Sequence, residues 1–379
     1  MSLYILVGVV LFLCSLFEFL SKRTNKYVYF ALFIGLTLML CFRYGQGTDY
    51  FAYQYIYEYV PKTLSLSKLS AWSSRHPEIG WKFLCAFSKI IGLDFYTFAA
   101  VIGIITMLLL HLFIKKHCPL KITALFIAYP TLYLTYISSG MRQALVICFF
   151  LGVLIDLYTK KKYRHFFVLV LLCSLIHSAS LILLIMLSAS LRKTLVKYQD
   201  RIILISWVIG IFFSIFTIRI TFLGRTFSNE SSSTSYIAIA ERVLTYILLR
   251  LVYISYSRRT KEENQFLDTM MYLYGICLIL YGLFFSMSTT SSRICYFFKA
   301  VEIVLFTTLM AAPKKDVPAA AILFGYIAAL SLVMMYKNID SYIHQGLYYA
   351  AYSNAWTFPY NNLFIKGNYR YSVHQRLLP

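Results

Sequence analysis

Apolar runs of bilayer-crossing length recur along the whole chain, and the stretches between them are short and polar. The runs are Leu3–Leu20, Tyr27–Phe42, Phe95–Ile114, Lys121–Ile137, Ala144–Tyr158, Phe166–Leu191, Ile202–Ile218, Val243–Ser257, Phe266–Ser286, Ile294–Ala312 and Val317–Tyr336. The run from Phe166 is interrupted by His177-Ser178, which predicts two short helices meeting there rather than one tilted span. Lysine and arginine collect at alternate ends of the runs: Lys22-Arg23, Lys115-Lys116, Lys160 to Lys162, Arg192 to Arg201, Arg258 to Lys261 and Lys314-Lys315. By the positive-inside rule these ends are cytoplasmic. Residues 43–94, 219–242 and 337–379 are then external, the first with its own amphipathic helix near Glu78–Ile91 and the last a tail rich in Tyr and Asn. The pattern predicts an all-α polytopic protein, one integral membrane domain over 1–379, with about ten to twelve transmembrane helices, some interrupted.

One polar island stands out. Ser138-Ser139-Gly140-Met141-Arg142-Gln143 lies between two apolar runs with almost no loop to hold it. A fixed charge at that depth faces protein, water or a ligand, and marks a functional site by default. Glycine and serine let two helices end there and expose backbone N–H groups, which is tolerated where the backbone lines a cavity. The plain alternative is a tight hairpin whose Arg142 snorkels to the interface.

Composition agrees: 60% of residues are hydrophobic and 13% charged, as expected for a helical membrane protein. The net charge of +21 does not indicate nucleic acid, because it resides in the short loops between spans. Eight cysteines are scattered singly and give neither a disulfide framework nor a zinc-ligand spacing. The first run has no basic leader or small-residue cleavage site and reads as a retained span.

On this topology the unusual groups collect at the external face. Arg43-Tyr44-Gly45-Gln46-Gly47-Thr48-Asp49-Tyr50 reads as a structured turn. Arg75, Glu78, Arg142, Gln143 and His177 follow, then Arg225, Glu241, Arg242 and Arg293, the last in Ser291-Ser292-Arg293 at a helix start. Arginine forks and helix N-termini suit a polyanion such as a phosphate group. Each residue has a plainer reading. Asp49 caps the next helix, Glu78 is a first-turn acid, and His177 is a neutral histidine bonded to a carbonyl. The aromatic tail is an interface belt, and Glu302 and Arg250 pair with other buried polar groups.

The stretch from Arg43 to Tyr50, with Tyr53 and Tyr57 after it, resembles the R-x-G-x-G-T-D-Y signature of the EpsG family of bacterial polysaccharide polymerases. Pro77-Glu78-Ile79-Gly80-Trp81 is similar to its E-x-G-aromatic element, Ser139 to Gln143 to its R-Q element, and Ile176-His177-Ser178-Ala179 to its histidine break. Order and spacing agree over roughly residues 40 to 190; beyond that only Arg293 and the general hydropathy do. The resemblance implies a Wzy-type polymerase of O-antigen, capsule or exopolysaccharide units, multi-pass in the bacterial inner membrane with its site facing the periplasm or exterior. It implies an architecture similar to the GT-C-type glycosyltransferases and no metal or other cofactor. The substrate would be an oligosaccharide on undecaprenyl diphosphate, with membrane lipids, a chain-length regulator and a flippase as candidate partners. In that reading Arg142, Arg43, Arg293 and Gln143 hold the diphosphate, Glu78, His177 or Asp49 is the base, and Tyr50, Tyr53 and Arg75 contact sugar. Two other readings stay open: an O-antigen ligase or polyprenyl-phosphate-sugar glycosyltransferase, and a flippase of lipid-linked oligosaccharides without catalysis.

Overall fold

A computed structural model describes residues 2–72, 78–214, 219–222, 225–228, 236–260, 264–284, 286–311, 317–344 and 354–365. Among the described residues the regular structure is helical apart from a short antiparallel hairpin, β1 (Arg219–Phe222) and β2 (Arg225–Ser228). Among these residues five helices are long and apolar enough to cross a membrane: α1 (Leu3–Ser21), α6 (Phe95–His117), Met141–Thr159, α13 (Gln265–Leu283) and most of α16 (Val317–His344). Two shorter apolar helices are α2 (Lys26–Cys41) and α10 (Tyr163–Ser174). A bent pair, a 3-10 segment (Ser178–Leu187) and α11 (Ala189–Ser214) at 79° to it, makes a sixth spanning-length element if counted as one. The chain is thus an all-α polytopic membrane protein, and much of its apolar length is spent in short, bent or interrupted helices.

By contacts the chain divides into two units, Met1–Val153 with Leu171–Ser178 and Phe324–Pro379, and Leu154–Val170 with Ala179–Leu323. In the first unit α1 packs on α7 (Lys121–Ala128), and α6 on both α2 and α8 (Met141–Phe149). A buried carboxylate joins α1 to α7: Glu18 accepts from the first-turn N–H groups of Ile122 (3.1 Å) and Thr123 (2.6 Å). Carboxylate charge is favoured at that end of a helix, where N–H groups have no partner within it.

Beyond α7 the helix widens into a π segment (Tyr129–Ile137). Pro130 has no N–H to donate and breaks the regular ladder. Side chains donate to carbonyls within the segment. Asn338 (2.7 Å) and Thr135 (3.2 Å) donate to the Pro130 oxygen, and Tyr342 to that of Leu134. Asn338 and Tyr342 belong to α16, which runs past the expected end at Tyr336 to His344. The helical path from Met141 also passes through a π turn (Phe150–Leu154) before α9 (Ile155–Thr159).

Three short helices fill the region between α2 and α6: α3 (Tyr50–Tyr59), α4 (Leu66–Ala71) and α5 (Ile79–Ile90), the last being the amphipathic helix expected near Glu78–Ile91. Lysines of α5 close the ends of the other two. Lys89 donates to Glu58 O and Val60 O, and Lys82 to Leu69 O and Trp72 O. Basic groups serve the last carbonyls of a helix in this way.

In the second unit α11 and α14 (Ser288–Lys299) pack on α13, and α12 (Tyr236–Thr260) on α15 (Glu302–Met310). The run expected from Ile294 is interrupted at Ala300-Val301 between α14 and α15, where the buried Lys299 bonds Glu241 (2.6 Å) and Glu302 (2.7 Å). One expectation is corrected here. The basic stretch Arg192 to Arg201 is not a loop but the start of α11, because Leu195 and Gln199, four apart, give it a buried face. Glu302 and Arg250 do pair with other polar groups, Arg250 with Asp200 at 3.1 Å.

Candidate functional site

The polar island is the corner between the π segment and α8. The helix ends at Ile137, Gly140 precedes the first turn of α8, and Arg142 and Gln143 lie in that turn. Arg142 does not snorkel. It is 5% exposed, and its Nη1 donates to Glu78 Oε2 at 2.6 Å. Its guanidinium carbon stands 5.8 Å from the Tyr53 ring centroid. Glu78 Oε1 accepts from the Ser178 hydroxyl at 3.1 Å. One carboxylate therefore ties α8, the start of α5 and the break after α10 into a single cluster. His177, buried at that break, immediately precedes Ser178. Burial pushes the Tyr53 phenol up from its ordinary range, while the Arg142 charge pulls it back.

Two glycines explain how the separated motifs meet. Gly47 has φ +90°, and a Cβ there would lie 2.6 Å from the Ser138 carbonyl oxygen. With no side chain in the way, the loop lies flat on the island. Thr48 N donates to the Ser139 hydroxyl (3.0 Å), and the Thr48 and Ser139 hydroxyls bond at 2.8 Å. Gly80 does the same at the histidine break. Its N–H donates to the Leu175 carbonyl at 2.8 Å, and a Cβ would stand 2.7 Å from that oxygen. Trp81, next to it, packs edge-on against Tyr53 and Phe98.

Arg43 is buried as well. Its Nη1 donates to Leu40 O (2.7 Å), and its guanidinium carbon lies 5.8 Å from the Tyr50 ring. Tyr50 and Tyr53 are three apart on α3, so one helix face carries the aromatic partners of both arginines. Both rings are buried in the cluster with Trp81 and Phe95. Each ring lies against a guanidinium group, Tyr50 against Arg43 and Tyr53 against Arg142. The loop between Phe42 and Gln46 is fixed from the far end of the chain. Tyr44 N donates to Asn361 O, Leu363 N to Phe42 O (both 3.0 Å), and Gln46 Nε2 to Pro359 O (3.4 Å). The tail is thus more than an interface belt.

Asp49 is exposed and stands at the N-cap position of α3, but its side chain makes no capping hydrogen bond. Gln143 is buried one residue beyond Arg142. Arg75 lies outside the described residues, and nothing is described of the Arg225 side chain. Arg293 belongs to the second unit, exposed on α14. Among the described residues no group of three His, Cys, Asp or Glu side chains is placed to share a metal ion. Ser139 and Ser178 stood inside the singled-out motifs without a role of their own, and their small polar side chains were the signal. Asn361 is the residue that sequence reasoning missed.

The arrangement holds one arginine in a carboxylate–hydroxyl cradle and a second on the neighbouring ring of the same helix. Such a pair can orient guanidinium groups toward an oxyanion. No curated protein and no solved structure matches the chain. The EpsG family model matches residues 26–361, which takes in both arginines, the glycine loop, the Glu78 element, the histidine break and the tail segment that pairs with the loop. The chain therefore belongs to the EpsG family, membrane proteins whose known kind is the Wzy-type polysaccharide polymerase.

Proposed function

We propose that this protein polymerises oligosaccharide repeat units at the outer face of the bacterial inner membrane. The growing glycan leaves undecaprenyl diphosphate and is transferred to a hydroxyl of a second lipid-linked unit. The observation that carries this reading is the buried Arg142 held by Glu78 beside the docked glycine loop. An arginine kept in place before substrate arrives stabilises charge developing on the departing diphosphate without reorganising, the electrostatic contribution that usually dominates such catalysis. Arg43 and Gln143 belong to the same unit and extend the donor set.

The acceptor hydroxyl must lose a proton as it attacks the anomeric carbon. Both oxygens of Glu78 are engaged, one by Arg142 and one by Ser178, which suits orientation of the arginine. His177 is then the base, reaching the acceptor from the break that Glu78 helps to hold, with Asp49 as the exposed alternative. Anchoring both partners by their lipids supplies proximity.

The test is complementation of a strain lacking the gene, with surface glycan resolved on a gel at matched membrane levels. Arg142→Ala and Arg142→Lys are expected to leave single units, since lysine carries the charge but not the fork. His177→Ala is expected to abolish the ladder by lowering turnover, and Glu78→Gln by misplacing Arg142. Full ladders from all four variants would remove the proposed site, and repeat units trapped on the cytoplasmic side would point to a flippase.

A further inference from the structure

In the second unit, the turn between α9 and α10 and the bend before α11 enclose a pocket of about 560 Å³. Tyr158, Tyr163, Met186, Arg192, Lys193 and Val196 are among its lining residues, Met186 buried and Val196 exposed. Its lining holds no acidic side chain among the described residues. The Arg192 guanidinium carbon lies 5.9 Å from the Tyr158 ring. A ring contact of this kind positions the arginine without occupying its five N–H donors. Lys160, Lys161, Lys162, Arg164 and Lys197 are exposed close by in sequence. The acid that follows on α11, Asp200, is engaged by Tyr246 and by Arg250.

The same helices mark where the hydrocarbon begins. Exposed side chains on α11 change from Lys193, Lys197 and Arg201 to Leu204, Ile205 and Val208. On α10 they change from Lys162 and Arg164 to Phe167 and Val168. The pocket therefore brings basic and apolar side chains together near that boundary, which is the chemistry of a lipid headgroup together with the start of its chains. We propose that this pocket binds the phosphate headgroup of an anionic phospholipid, with Arg192 and Lys193 on the phosphate and Met186 and Val196 against the glycerol and first methylenes. This goes beyond the polymerase reading and does not depend on it.

The experiment is native mass spectrometry of the full-length protein released from detergent micelles doped with phosphatidylglycerol or phosphatidylcholine. Wild type is expected to retain phosphatidylglycerol in preference to phosphatidylcholine. Removing one cation should weaken retention about fivefold, so Lys193→Gln should show that loss and Arg192→Gln a larger one. Arg192→Lys should fall between them and wild type, since it keeps charge without the fork. Lys68→Gln, on exposed α4, should leave retention unchanged. Lys193 is exposed, so its variant decides the matter even if Arg192→Gln fails to fold. Equal retention of both lipids, equal loss in Lys68→Gln, or displacement of the lipid by inorganic phosphate would each overturn the proposal, the last by making this a site for free phosphate.

Discussion

At the scale of single residues, the Arg142–Glu78 pair dominates the first unit. Removing one member of a buried ion pair leaves the other charge buried without its counter-charge, which destabilises by roughly 3–5 kcal/mol. Glu78→Gln should therefore lower the thermal midpoint in detergent well beyond Ser178→Ala, which removes one hydrogen bond and is expected to lose about 1 kcal/mol. Equal midpoints for the two variants would refute the cradle. Gly47→Ala tests the docked loop, since alanine there meets both an unfavourable φ and the Ser138 carbonyl, and should lose the glycan ladder. The sequence disclosed these residues one by one, because an arginine between apolar runs and two glycines in three positions are visible locally. It did not disclose who pairs with whom: Arg142 and Glu78 are 64 positions apart, and only the fold closes that distance. The same holds for Tyr50 and Tyr53, whose places beside Arg43 and Arg142 only the fold discloses.

At the scale of elements, apolar periodicity located most helices to within a few residues, including the break at His177 and the corner after Ile137. It failed where polar side chains bond within the protein. Glu302 was legible as a buried polar group, but its partner Lys299 is diluted in an apolar run and a hydropathy reading passes over it, yet their ion pairs stand at the break between α14 and α15. Lys299→Met alone would leave Glu241 and Glu302 buried without that counter-charge, and should destabilise by about 3–5 kcal/mol. Replacing Lys299 and Glu302 together with Met and Leu should recover much of the loss, because Glu241 keeps Arg242. Denaturant midpoints would separate the two cases, and a double variant no better than the single would refute the pairing. A gentler element test is Asp94, which caps α6 by accepting from Thr97 N at 2.8 Å. Bonds from Thr97 hold the Asp94 carboxyl below its ordinary range. Its contribution is therefore present above the ordinary carboxylate pKa and lost as pH falls through the lowered folded value. Asp94→Ala should cost about 1 kcal/mol near neutral pH, with the gap to wild type closing in acid.

At the scale of the whole molecule, membrane residence was legible because it is written in bulk composition and in runs of apolar residues. The order of assembly was not, because it depends on contacts between distant parts of the chain. The Arg43 loop is fixed by Pro359, Asn361 and Leu363, and the bond from Gln46 to Pro359 spans 313 positions. A chain ending at residue 353 should still reach the membrane but make only single glycan units; a normal ladder from it would show the tail to be dispensable. The same contacts set a clock on biosynthesis. A ribosome must translate more than 300 positions beyond Arg43 before the residues that seat this loop emerge, so a nascent chain already threaded into the bilayer holds that arginine in an unfinished setting. Competence would then wait for residues 359–363, and a half-made copy could not start consuming lipid-linked precursor.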